Sequence, residues 1–298
     1  MRSCAVTDYA ELFRELAVPR LVGTANHQKV REILKRELAA RGFAVEEHAF
    51  AGRPARALVG TPALVHGINL IAERPSDRPT VRPSVWLVAH YDSKGQPISM
   101  ALRLIGFGLL AVGVLALLVA LIPALVLLAV ALIIVSQNRV TDNSPGALDN
   151  ATALIAIFMT LDQLPDETSV GVIFPDAEEY GLVGARALAA DHAARFKDAA
   201  VINLDSLDDA GRVTAFLHRA GTVGLGVAEA LDARRWRWLP VIVDGIALAP
   251  VSRQCVTIMK GNWDTMRIVH RPEDDTARVR LDGAATVAAG LARVLRAQ

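Results

Sequence analysis

Cysteine is scarce. The 298-residue chain carries only Cys4 and Cys255, far apart in sequence. Two cysteines make no disulfide framework, which points to a reducing compartment. Charge of one sign is lacking too: Lys and Arg number 32 against 31 Asp and Glu, a net charge of +1. A nucleic-acid binder carries a basic surface, so no nucleic-acid partner is expected. Gly/Pro-rich tracts are few and 52% of residues are apolar, which excludes disorder. Arg2, Asp8 and Glu11 make the start polar, so no export signal is expected ahead of residue 98. The length suits one large α/β domain or two small ones, and buries a core with ease.

The mean hydropathy of +0.33 is high for an ordinary enzyme, and the excess sits in one place. Leu104 to Val135 is a run of 32 residues without a charge, bounded by Arg103 and Arg139. Runs beyond about 18 such residues indicate a membrane helix. As one helix the block would span roughly 48 Å, too long for a core helix. Pro123 divides it, and proline suits the first turn of a second helix. The expectation is an inserted helical hairpin over 98–139, transmembrane or re-entrant, bending near Leu121–Pro123 and contacting membrane lipid.

The remainder alternates. Apolar runs at Ile68–Ala72, Val85–Ala89, Val170–Phe174, Ala200–Leu204, Val213–Leu217 and Val256–Met259 read as buried strands. Helical spacing appears in Thr24–Gly42, Ala147–Leu164, Leu182–Arg195, Val223–Arg235 and Leu281–Leu295. Ala72–Ser84 reads as a Pro-rich polar loop. The pattern predicts an α/β fold, a mixed and mostly parallel sheet with helices on both faces.

Acidic residues and histidines gather at strand ends and in the turns after them, the edge where open α/β sheets bind ligands. Val85–Ala89 leads into His90-Tyr91-Asp92, where Asp92 is placed to hold one ring nitrogen of His90. Asp149 starts a helical pattern, Glu178 and Glu179 follow one strand, Asp205 ends another, and His270 lies in a polar loop. Singly, Asp149 also fits a helix N-cap, Asp205 an Asx turn, Glu178-Glu179 a solvated pair and His270 an ordinary loop histidine. Together they fit a zinc site. His27, His48, His66, His192 and His218 read as structural histidines.

The ordered motifs AHYDS (Ala89–Ser93), PGALDNAT (Pro145–Thr152), AEEYGLVGA (Ala177–Ala185), NLDS (Asn203–Ser206) and VHRPEDDT (Val269–Thr276) resemble the M28 family of zinc aminopeptidases. Pro19–Leu34 and Ile68–Ala72 resemble that family too, so apart from the apolar insertion the likeness spans nearly all of residues 1–298, read as a single peptidase domain. The resemblance implies two zinc ions. His90 and Asp205 would hold one, Glu179 and His270 the other, and Asp149 would bridge them. It also implies Glu178 as general base and Asp92 as the residue orienting His90. Three departures stand out: Thr152-Ala153 after the Asp-Asn pair, Val243-Asp244-Gly245 in place of Ser-Asp-His, and the apolar insertion itself.

The function implied is a metal-dependent exopeptidase, releasing N-terminal residues from peptides with a di-zinc-activated water. The alternatives are a single-zinc glutaminyl cyclase or other amide hydrolase, and a non-catalytic membrane scaffold of the same fold. His90 and Asp149 flank the insertion and have to meet, so the chain must leave and return on one side of a membrane. The basic flanks Arg103 and Arg139 then predict a membrane localisation with the peptidase domain facing the cytoplasm.

Overall fold

The computed structural model describes residues 7–55, 58–74, 83–238 and 241–297. Among these, eight strands form one sheet: β1 (Ala44–Gly52), β2 (Val65–Glu73), β3 (Val85–Val88), β4 (Val170–Phe174), β5 (Ala200–Leu207), β6 (Arg212–Arg219), β7 (Arg234–Trp236) and β8 (Gln254–Gly261). Their order is β1-β2-β4-β3-β5-β8-β6-β7. The central strands β4, β3, β5 and β8 run parallel, while β1 and β2 are antiparallel on one side and β6 is antiparallel to β8 on the other. The mixed, mostly parallel α/β sheet expected from the alternation is what forms.

Among the described residues eleven α-helices accompany it. The first four are α1 (Tyr9–Leu16), α2 (Ala25–Ala40), α3 (Met100–Ala116) and α4 (Leu121–Ser136). Then follow α5 (Thr152–Leu161), α6 (Val183–Asp191), α7 (Ala193–Phe196) and α8 (Thr222–Ala230). The last three are α9 (Asp244–Leu248), α10 (Thr265–Ile268) and α11 (Asp282–Leu295). Thr24 caps α2 by accepting the His27 N–H, and α2 buries Val30, Ile33, Leu34 and Leu38, the spacing that predicted it. These join α5, α11 and the sheet in the largest core cluster. The smaller cluster on the opposite face holds Trp86, Leu188 and Phe196.

Several boundaries differ from the sequence reading. Strands β1 and β7 were not expected, and β7 occupies residues read as the tail of a helix. Asp149 does not cap a helix: α5 begins after it, and Asp149 itself has non-helical angles (φ −114°, ψ 84°). Most of the Pro-rich loop, residues 75–82, and Cys4 lie outside the described residues.

The membrane reading is corrected. Among the described residues, no helix is long and apolar enough to cross a membrane. The apolar block breaks at Leu117–Ala120, earlier than Leu121–Pro123, where Ala120 turns extended (φ −151°, ψ 109°). Pro123 is the cause, because in a continuous helix its ring would strike the carbonyl of Val119. The arms left, 17 and 16 residues long, reach about 24–26 Å at 1.5 Å per residue, short of a hydrocarbon core of about 30 Å. The localisation at a membrane, with the domain on the cytoplasmic face, falls with it.

Helices α3 and α4 lie antiparallel and close. A methyl group on Gly106 would sit 2.6 Å from Ile134 Cγ2, and one on Gly113 2.9 Å from Leu128. Ala124 and Ala131 of α4 are buried at the same seven-residue spacing. The two ends of this segment are pinned together where Gly95 and Thr141 exchange backbone hydrogen bonds of 2.7 and 2.9 Å. His90 and Asp149 are thereby brought to one place.

Candidate metal centre

The parallel strands end where the acidic residues and histidines converge. Beyond β3 come His90 and Asp92, beyond β4 come Glu178 and Glu179, and Asp205 lies near the end of β5. Asp149 enters from the turn before α5, and His270 follows α10. All seven are buried. His90 Nε2 lies 3.1 Å from Asp149 Oδ1, and His270 Nε2 lies 3.0 Å from both Asp149 Oδ2 and Glu179 Oε2. The Asp92 carboxylate is 3.5 Å from His90 Nδ1 and accepts the N–H groups of Glu178 and Glu179, both at 3.1 Å. One carboxylate thus sets the histidine ring and the turn carrying both glutamates.

The backbone here is unusual. Ala177, Ser206 and His270 all have positive φ (56°, 52° and 64°). Such conformations cost of order 1–3 kcal/mol each outside glycine and persist only when their surroundings impose them. At Ala177 the imposing contact is the N–H donated to Asp176 Oδ1, and Asp176 also accepts from Ile68 N and Tyr91 Oη and pairs with His27. His27 is therefore structural, as expected. His48 pairs with Asp191 and His218 with Thr257, His192 packs edge-on against His48, and His66 is exposed.

Two sets of donor atoms each lie within 4.8 Å of one another: His90, Asp149 and Asp205, and Asp149, Glu179 and His270. Asp149 belongs to both, facing a histidine with each of its oxygens. Imidazole and carboxylate donors at this spacing suit zinc, and the charges around them ask for a cation. Burial, with help from Glu179, Asp244 and Asp205, outweighs His90 and pushes the Glu178 carboxyl well above its usual range. Burial and Asp149 push Asp205 up to about 7. Burial opposed by His90 still leaves Asp244 at about 8. Among the described residues neither Asp244 oxygen has a hydrogen-bond partner. A buried acid with nothing to hold it is what a nearby dication relieves.

Four site residues escaped the sequence reading or entered it only in passing. Asp244 figured as a mere departure from a motif. Asp274 positions Asp149 by accepting Leu148 N–H (2.6 Å) and Asp149 N–H (3.3 Å). Arg20, wholly buried, donates to the carbonyls of Tyr91 (2.7 Å), Pro145 (2.5 Å) and Gly146 (3.0 Å), tying the His90 segment to the Asp149 turn. Arg103, read only as a flank of the apolar block, donates from Nη2 to His270 Nδ1 at 2.6 Å. No sequence signal pairs residues this far apart. Beside them Lys94 Nζ is 2.8 Å from Glu179 Oε2. A cavity of about 410 Å³ opens over the site, walled by Met100, Leu104 and Phe107 of α3, by Ile242, and by Met266 and Val269.

The raised acids predict how the metal-free protein responds to pH. Asp205, Asp244 and Asp274, the last pushed up to about 7 by burial, hold protons when folded that an unfolded chain releases near pH 3.9. Their contribution to stability is thus present at acid pH and lost as pH rises from about 4 through 7–8. His90 acts in the same sense: burial is outweighed by Glu178 and Asp149, so its pKa is raised and its contribution is also lost as pH rises. After chelation the protein should unfold at a lower temperature at pH 8 than at pH 5, and added zinc should reverse the difference. Thermal scans showing a flat or rising trend would discount the crowding of charge described here.

The model of peptidase family M28 matches residues 69–295. No curated protein matches the chain. Among solved structures, a Zn-dependent exopeptidase from Parabacteroides distasonis superposes with a TM-score of 0.67 at 18% identity, covering 97% of each chain. A glutaminyl cyclase from Porphyromonas gingivalis gives 0.66 at 20% identity, covering 96% of each chain. An aminopeptidase from Aneurinibacillus sp. strain AM-1 gives 0.64 at 11% identity over 96% of this chain and 92% of that one. These likenesses carry the fold, and the family match carries the membership: the chain belongs to peptidase family M28, whose members are zinc-dependent hydrolases.

Proposed function

We propose that the protein is a zinc aminopeptidase that releases N-terminal residues from peptides. In this reading one zinc is held by His90, Asp149 and Asp205, and a second by Asp149, Glu179 and His270. The observation that carries it is Asp149, whose two oxygens face His90 and His270 on opposite sides. Zinc so bound lowers the pKa of water and polarises the scissile carbonyl.

The chain's own groups supply the rest. Glu178 lines the cavity next to Glu179 without belonging to either donor set. Its carboxylate takes the proton of the attacking water and delivers it to the amide nitrogen as the C–N bond breaks. Burial makes it a stronger base than a surface glutamate. Asp92 holds the His90 ring in orientation. Substrate amine is drawn to the acidic side of the site, by Asp205 and Asp244.

A second reading, cyclisation of N-terminal glutamine on a single zinc, is favoured by Lys94 and Arg103. Two cations against Glu179 and His270 weaken the hold of that donor set on a dication. Zinc analysis after dialysis, together with mass spectrometry of leucyl- and glutaminyl-peptides, decides between them. The aminopeptidase should bring two zinc ions per chain and shorten both peptides by one residue. One zinc per chain, undiminished in His270→Ala, with ammonia lost from the glutaminyl peptide and no shortening, would overturn it.

A further inference from the structure

Among the described residues three cations are buried around the centre, and two are accounted for. Arg20 has backbone carbonyls on Nε, Nη1 and Nη2 alike, and Lys94 pairs with Glu179. Arg103 differs. It is 7% exposed and lines the cavity, yet among the described residues no carboxylate lies within 4.0 Å of it. Its Nη2 donates to His270 Nδ1 and to Met100 Sδ (3.1 Å), its Nη1 reaches Asn138 Oδ1 only at 3.4 Å, and its Nε has no partner. Glu179 and Asp149 act on it only from beyond ion-pair distance. A buried guanidinium with no carboxylate hydrogen-bonded to it is costly, and its planar fork of donors matches a carboxylate with two parallel hydrogen bonds.

We infer that Arg103 binds a carboxylate of the substrate, so that the site takes dipeptides with a free C-terminus in preference to longer or blocked peptides. This rests on the amide-hydrolysing function proposed above. Contact with His270 places the guanidinium within one residue of the scissile bond. An ammonium group would be repelled there, so Arg103 sorts the ends of the substrate, its amine going to Asp205 and Asp244 and its acid to α3. The walls of Leu104, Phe107, Met266 and Val269 suit an apolar side chain between the two. An acidic N-terminal side chain offers the same carboxylate from another source.

The test uses zinc-loaded protein and the reduced-bond analogue of Leu-Leu, in which CH2–NH replaces the amide, as free acid and as C-terminal amide. Calorimetry should show the acid bound about 10- to 100-fold tighter, the span of a charge-assisted hydrogen-bonded pair. In Arg103→Leu the ratio should fall to about one, and Arg103→Lys should recover part of it. Hydrolysis of glutamyl- and leucyl-anilides runs alongside. A similar preference for the glutamyl compound, abolished in Arg103→Leu, would assign the carboxylate to the N-terminal side chain and uphold Arg103 as its partner. Equal binding of acid and amide, with equal handling of the two anilides, would overturn the inference. An acid preference in a protein that hydrolyses nothing would fail the proposed function alone, and hydrolysis without acid preference would fail this inference alone. Should Arg103→Leu not fold, the wild-type ratio and Arg103→Gln still decide.

Discussion

Glu178→Gln protein should keep its zinc and its unfolding temperature and turn over peptides about 10²–10⁴-fold more slowly, the usual contribution of a general base. The substitution preserves shape and removes the charge and the proton-accepting oxygen. Metal retention follows because neither donor set includes Glu178. Loss of a buried carboxylate that sits well above its usual range also relieves the crowding with Glu179, Asp244 and Asp205, so the variant should be no less stable without metal. Zinc content, thermal scans and turnover measured on one preparation separate the possibilities. Near-normal turnover with full zinc would remove Glu178 from the chemistry, and loss of zinc would make it a ligand.

The second large effect belongs to Asp149→Asn. Because each oxygen of Asp149 serves a different donor set, this one change should empty both, whereas His270→Ala should empty one at most. An asparagine offers one oxygen and no charge, and the histidines at 3.1 and 3.0 Å would then face an amide. Turnover should drop at least as far as in Glu178→Gln. The check is metal content by atomic absorption across wild type and both variants. Asp149→Asn protein that still holds two zinc ions would end the bridging assignment, and with it the two-zinc proposal.

What could be read in the sequence depended on whether the signal was local. Strands β3, β4 and β5 are buried along their whole length, so they appear as unbroken apolar runs. Strand β1 alternates without a buried residue, since its faces carry Glu46, Glu47 and His48, and β7 is a short exposed edge. Neither leaves a hydrophobic trace. The membrane reading failed on length: it expected the bend that Pro123 forces, but the break at Leu117–Ala120 leaves arms of 17 and 16 residues, too short to cross. The strand-end acids and histidines were legible because the parallel sheet delivers them to one edge. Arg20, Arg103 and Asp274 matter through contacts closed only by folding, and Asp244 through burial that only folding imposes, so no spacing reveals them.

The guanidinium of Arg20 bears on where the functional unit begins. The family match opens at residue 69, inside β2, and contains every residue assigned here to zinc or to proton transfer. Yet the clasp between the carbonyls of Tyr91, Pro145 and Gly146 comes from a residue 49 positions upstream of that boundary. The edge strand β1 and the helix faces of Leu16 and Leu34 also lie before it. A fragment trimmed to the family boundary would retain the full set of reactive side chains and lose the fastener that gathers two of their loops. For this chain, the stretch that identifies the family is shorter than the stretch that holds the loops of the site together.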